Sequence, residues 1–180
     1  MNPNSKSRTS LFLMELIIAI LFFSLASAIC LRMFVSSHVL SEKDRNLNNA
    51  LLWSQNLSEA FSGHKGNINA VKSLFEDSYL ITSDDEGEGT LVLFFNEKWE
   101  QTDSSLTDAS YEAILSVSRD TAQNVYADAN KYNVPLKGYA MVGRIAVLNL
   151  KGATDVYSEI PENDEITIFS NTIDTYIGEN

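Results

Sequence analysis

From Leu11 to Ser62 the chain contains neither proline nor glycine, and no other feature limits its fold as strongly. Those two residues cost about 3 and about 1 kcal/mol in a helix interior. Without them a helix of about 52 residues, some 78 Å long at 1.5 Å per residue, is open to the chain. The stretch changes character on the way. From Leu11 to Leu31 every residue but Glu15 is apolar or small, about the 20 residues that span a bilayer. Farther on, Leu40, Leu47, Leu51, Trp53, Leu57 and Phe61 recur mostly every three or four residues. Between them lie Glu42, Lys43, Asp44, Arg45, Asn48, Asn49 and Gln55. This is an amphipathic helix with one face for a domain to cover. Gly63 and Gly66 are placed to end it.

Glu15 is the anomaly in the apolar run. An ionised carboxylate among lipid tails or packed apolar helices costs several kcal/mol unless a counter-charge meets it. Lys6 and Arg8 precede the run and favour a cytoplasmic N-terminus, with the C-terminal part outside the cell membrane. Residues 1–10 are polar and carry no apolar pattern, as a removable leader would.

Polar leader, apolar helix and a carboxylate at its fifth position resemble the prepilin-type signal of type IV pilins and type II secretion pseudopilins. The resemblance is specific from residue 6 to about residue 35 and architectural beyond. It implies cleavage between Ser10 and Leu11 by a prepilin peptidase, then methylation of the new Leu11 amine. Ser10 stands where that family usually has glycine, Leu11 where phenylalanine is frequent, and Arg32 where many members have a helix-kinking proline. It further implies that Glu15 pairs with the Leu11 amine of a neighbouring subunit and sets the docking register. The expected function is that of a pilin-like, and by expectation minor, subunit of a bacterial type IV pilus, competence or type II secretion-like filament. Its expected partners are the membrane, the peptidase and other pilin-like subunits. Ala26-Ser27-Ala28 keeps an alternative open, since it is a valid A-x-A site for an ordinary Sec signal. The chain would then be a secreted or single-pass anchored binding domain.

Charge divides unevenly. Residues 1–45 carry five Lys/Arg against three Asp/Glu; residues 46–180 carry eight against twenty-one, a net of −13. So acidic a domain argues against direct nucleic-acid binding. Cys30, in the apolar run, is the sole cysteine, so no disulfide can form within the chain. His38 and His64 have no histidine partner at ligand spacing, there is no Cys pair, and no phosphate loop or nucleophile elbow is present. Neither catalysis nor a cofactor or metal is expected. Asp84-Asp85-Glu86-Gly87-Glu88-Gly89 offers oxygen ligands for calcium but lacks EF-hand spacing, and a solvated acidic turn is the favoured reading.

Downstream, residues 67–77 predict a short helix, and the period then moves toward two. Strands are predicted at Leu91–Phe95, Tyr111–Arg119, Tyr139–Leu150, Val156–Ile160 and Ile166–Phe169, with Ala122–Tyr132 a helical or looped insertion. The fold class is α+β, a long N-terminal helix (about 11–62) on a small antiparallel sheet, the ladle shape of the pilin family. The organisation expected is a leader at 1–10, a transmembrane segment at 11–35 and an extracytoplasmic domain at 36–180. Trp53, Phe61, Phe94 and Trp99 are the expected core aromatics.

Overall fold

The computed structural model describes residues 4–81, 87–102, 109–128, 136–153, 156–161 and 165–179, with side chains from Ser10 onward. The chain divides into two compact units, Met1–Arg45 and Asn46–Asn180. Helix α1 (Asn4–Gly63) begins in the first and ends in the second. It starts before the predicted Leu11, directly after Pro3: nothing between Asn4 and Ser10 breaks a helix, and Lys6 and Arg8 favour one. In the first unit Leu, Ile, Phe and Met side chains from Leu11 to Val35 are exposed on all sides of the helix. Among the described residues it is the one helix long and apolar enough to cross a membrane.

The second unit is an α+β arrangement, the end of α1 packed on an antiparallel sheet. After α2 (Ile68–Lys72) come β1 (Ser78–Ile81), β2 (Gly89–Phe95), β3 (Gln101–Thr102) and β4 (Tyr111–Thr121). A short α3 (Ala122–Val125) precedes β5 (Tyr139–Asn149) and β6 (Thr167–Gly178). Spatial order is β1-β2-β4-β5-β6, with β3 beside the end of β2. Cross-strand rows align Leu91–Leu115–Ile145 and Leu93–Ala113–Val147 on the helix-facing side. There they meet Ala50, Leu57, Ala60 and Phe61, all buried.

The helix face that packs only partly follows the large apolar residues of the sequence stripe: Leu57 and Phe61 lie on it and Trp53 at its side. Ala50, Ser54, Leu57 and Phe61 are buried, whereas Leu40, Leu47 and Leu51 are exposed. Small residues at 50 and 54 let helix and sheet backbones approach, and the buried stripe passes through them. A stripe judged by side-chain size therefore points partly away from the sheet.

Gly63 stays helical; the left-handed residues that end α1 are Lys65 (φ 51°) and Gly66 (φ 77°). The Gly66 N–H donates to Phe61 O at 2.9 Å and closes the last turn. A Cβ on Gly66 would overlap Met141 Cβ and come within 3.2 Å of Phe61 Cε2, so glycine is required on two counts.

Three sequence expectations change. Val156–Ile160 forms no strand: it lies in the 150–166 connection and packs over the face of the sheet away from α1. Alternation there marks which side chains are covered, not the presence of a ladder. The last strand runs through Gly178, well beyond Phe169. Past Phe169 this outer strand continues through Ser170, Asn171 and Thr172, which are polar and exposed and interrupt the apolar signal. The helix near residues 67–77 shortens to Ile68–Lys72, and β1 takes up Ser78–Ile81. Of the Ala122–Tyr132 insertion, Ala122–Val125 is helical, and residues 129–132 lie outside the described residues.

Candidate functional site

The residues singled out for processing and assembly, Ser10, Leu11 and Glu15, lie together on α1 in the first unit, all exposed. Leu11 and Glu15 are four residues apart and share a helix face, about 6 Å apart along the axis. Ile18 and Ala19 lie one turn beyond Glu15 on the same side, so the carboxylate stands in an apolar surface. Downstream, the Ser24 hydroxyl donates to Ile20 O at 2.8 Å. That bond lets a serine sit in an apolar span without an unmet donor. Cys30 and His38 are exposed on the same helix.

The second unit carries two polar nodes that sequence reasoning did not find. The first is Asn46, whose Oδ1 accepts from Trp99 Nε1 at 3.3 Å and from the Tyr111 hydroxyl at 3.0 Å. Trp99 stacks on Tyr111, ring centroids 4.0 Å apart and planes 13° from parallel. Trp99 has φ 65°, unusual for so bulky a residue. The Asn96 loop holds it there: Trp99 N–H donates to Asn96 O, and Asn96 Oδ1 accepts from the N–H groups of Lys98 and Glu100. One helix residue is thus fixed to Tyr111 of β4 and to Trp99 of the loop between β2 and β3.

The second node is Glu112 on β4, fully buried on the sheet face away from α1. Phe94 of β2 and Leu148 of β5 flank it in register. Its Oε2 accepts from Tyr157 N–H at 3.1 Å, and Oε1 is buried with no hydrogen-bond partner among the described residues. Burial, only partly offset by that hydrogen bond, pushes the carboxyl up to about 7. In sequence, Glu112 alternates with Tyr111 and Ala113 as a solvent-facing residue would; only the covering of the second face by Val156, Tyr157 and Ile160 buries it. Beside Tyr157 a groove of about 530 Å³ opens between Tyr79, Ile81, Val92 and Phe94 of the sheet and Val156 and Tyr157.

Of the expected core aromatics, Phe61 and Trp99 are buried on the helix side, Trp53 is partly so, and Phe94 is buried on the opposite face. Phe95 and Tyr111 complete the aromatic set, Phe95 lying 4.5 Å from Trp53 and 5.9 Å from Trp99. Asp84, Asp85 and Glu86 of the acidic turn lie outside the described residues. Glu88, at its end, accepts the Arg119 backbone N–H at 3.0 Å through Oε1. Among the described residues no group of three or more His, Cys, Asp or Glu side chains could hold a metal ion.

No protein-family model, curated protein or solved structure matches the chain.

Proposed function

We propose that the chain is a pilin-like subunit, minor rather than major, of a type IV pilus, competence or type II secretion-like filament. It would be stored in the membrane and assembled after leader removal. One observation carries this reading: a carboxylate five residues past a small residue, Ser10, on an apolar helix that leads into an α+β domain. In the membrane, Lys6 and Arg8 keep the N-terminus cytoplasmic. A prepilin peptidase cuts after Ser10, where the first turns must unwind; helix ends fray readily, and residues 4–10 carry no apolar stripe to hold them. Cleavage leaves a cationic amine on Leu11, which is then methylated. When subunits stack, that amine meets a neighbour's Glu15 in a low-dielectric setting, where an unmatched charge is heavily penalised. The exposed apolar surface from Leu11 to Val35 packs first in lipid and then against other subunits.

The mature N-terminus tests the reading. Intact mass and N-terminal sequencing of the chain co-produced with a prepilin peptidase should show a start at methylated Leu11. A start at Ile29 would mark Ala26-Ser27-Ala28 as a Sec site and a secreted domain. An uncut chain would mark a single-pass anchored module.

A further inference from the structure

The connection between β5 and β6 covers the outer sheet face with Val156–Pro161, which enters no strand ladder among the described residues. Val156, Tyr157 and Ile160 are only half-buried, while Val92, Phe94, Ile114 and Leu148 beneath are buried. The Tyr157 N–H to Glu112 Oε2 bond ties this strap to the sheet.

Among the described residues the carboxyl meets no compensating charge. β2 and β5 face it with Val92, Phe94, Ala146 and Leu148, and Tyr79 of β1 packs on Phe94 at 5.9 Å. Among the described residues of the connection the adjacent titratable group is Tyr157, while the charged Lys151, Glu159 and Glu165 are exposed.

We propose that Glu112 is a latch that holds the Val156–Pro161 strap on the sheet while it is uncharged and releases it when it ionises. A charge buried with one bare oxygen must reach water or a donor. The strap is the weakest cover. Reaching the carboxyl through β2, β4 or β5 would break ladders, whereas lifting Tyr157 breaks one hydrogen bond among the described residues and uncovers half-buried side chains. Val156 and Tyr157 also wall the groove of about 530 Å³, so the opening has space and a water path beside it. The groove loses that wall as the latch opens, which makes its shape depend on pH near neutrality.

Hydrogen exchange of the full chain in detergent, read by mass spectrometry from about pH 5 to about pH 8 and divided by intrinsic rates, tests this. Amides of Val156–Ile160 should exchange through an opening easier than that of β4 and β5. Their opening constant should rise about ten-fold per pH unit to near pH 7, roughly a hundred-fold in all, then level off. Glu112→Gln should leave it flat. Strap protection equal to that of β4 and β5 at every pH overturns the latch, as does a pH-independent strap in the wild type or an undiminished rise in the Gln variant. If the variant does not fold, the wild-type titration against β4 and β5 still decides.

Discussion

Replacing Asn46 with leucine tests whether a single side chain fastens the helix to the sheet. Leucine is close to asparagine in shape but removes the acceptor shared by Trp99 Nε1 and the Tyr111 hydroxyl. Both rings are buried, Tyr111 with 1% of its surface exposed and Trp99 with 6%, so neither donor reaches water easily. A buried donor without a partner costs about 1–3 kcal/mol. The 3.3 Å indole contact is at the weak end and the 3.0 Å hydroxyl contact is good, which gives about 3 kcal/mol together. Tyr111→Phe removes one donor and leaves Asn46 still engaged by Trp99, so it should cost only about 1 kcal/mol. The order of the two is the sharper claim, because it follows from which side chain is orphaned. Denaturant unfolding of the full chain in detergent, followed by tryptophan emission, gives both values. In a double-mutant cycle Asn46→Leu should cost markedly less once Tyr111 is phenylalanine. Equal costs for the single variants, or additivity in the cycle, would refute the shared-acceptor account.

A second expectation follows from Glu112. Because its folded-state carboxyl titrates near 7 rather than 4.5, its contribution to stability is fully present below about pH 4.5 and is lost as pH rises to about 7. The loss is at most about 3 kcal/mol, and the difference in unfolding free energy between wild type and Glu112→Gln across that window measures it. Gly66→Ala should cost about 2–3 kcal/mol, from left-handed backbone strain plus the overlap with Met141, and a thermal melt unchanged within about 1 °C would contradict it. Glu15→Gln should leave membrane insertion and leader cleavage intact and reduce co-purification with filament partners several-fold or more; wild-type recovery would reject the pairing role.

Legibility in the sequence followed burial. The helix could be read because breakers are absent, and β2, β4 and β5 because their central residues are apolar on at least one face. β1 and the continuation of β6 past Phe169 could not, since outer strands are covered on few sides: Tyr79, Ile81, Tyr176 and Ile177 are exposed, and Ser170, Asn171 and Thr172 are polar. Leu47 and Leu51 misdirected the helix face because size outweighs the smallness that lets Ala50 approach the sheet. Asn46 carries no local mark either. Its importance comes from Trp99 and Tyr111, 53 and 65 residues away. Ser10, Leu11 and Glu15 present the opposite case. They were singled out by linear spacing alone, and one chain offers no neighbouring subunit against which that spacing could acquire a geometry.

On the proposed reading Glu15 poses the same electrostatic problem as Glu112, a carboxylate in surroundings too apolar to hold its charge cheaply. Glu112 meets it by staying uncharged below neutrality: its neighbours across the sheet are Phe94 and Leu148, and the one donor offered to it among the described residues is a backbone N–H. A neutral amide can stand in for such a group, so glutamine at 112 should be tolerated and should erase a pH dependence. Glu15, on the proposed reading, is matched by a cation that exists only after Ser10–Leu11 is cut and only on another subunit. A neutral amide cannot stand in there, because the amine would lose its counter-charge. One substitution at two positions therefore separates two mechanisms. Glutamine at 112 should alter how folding responds to pH and leave assembly alone, while glutamine at 15 should alter assembly and leave the pH response of folding alone. Exchanged or shared effects would mean that the two carboxylates are not doing different work.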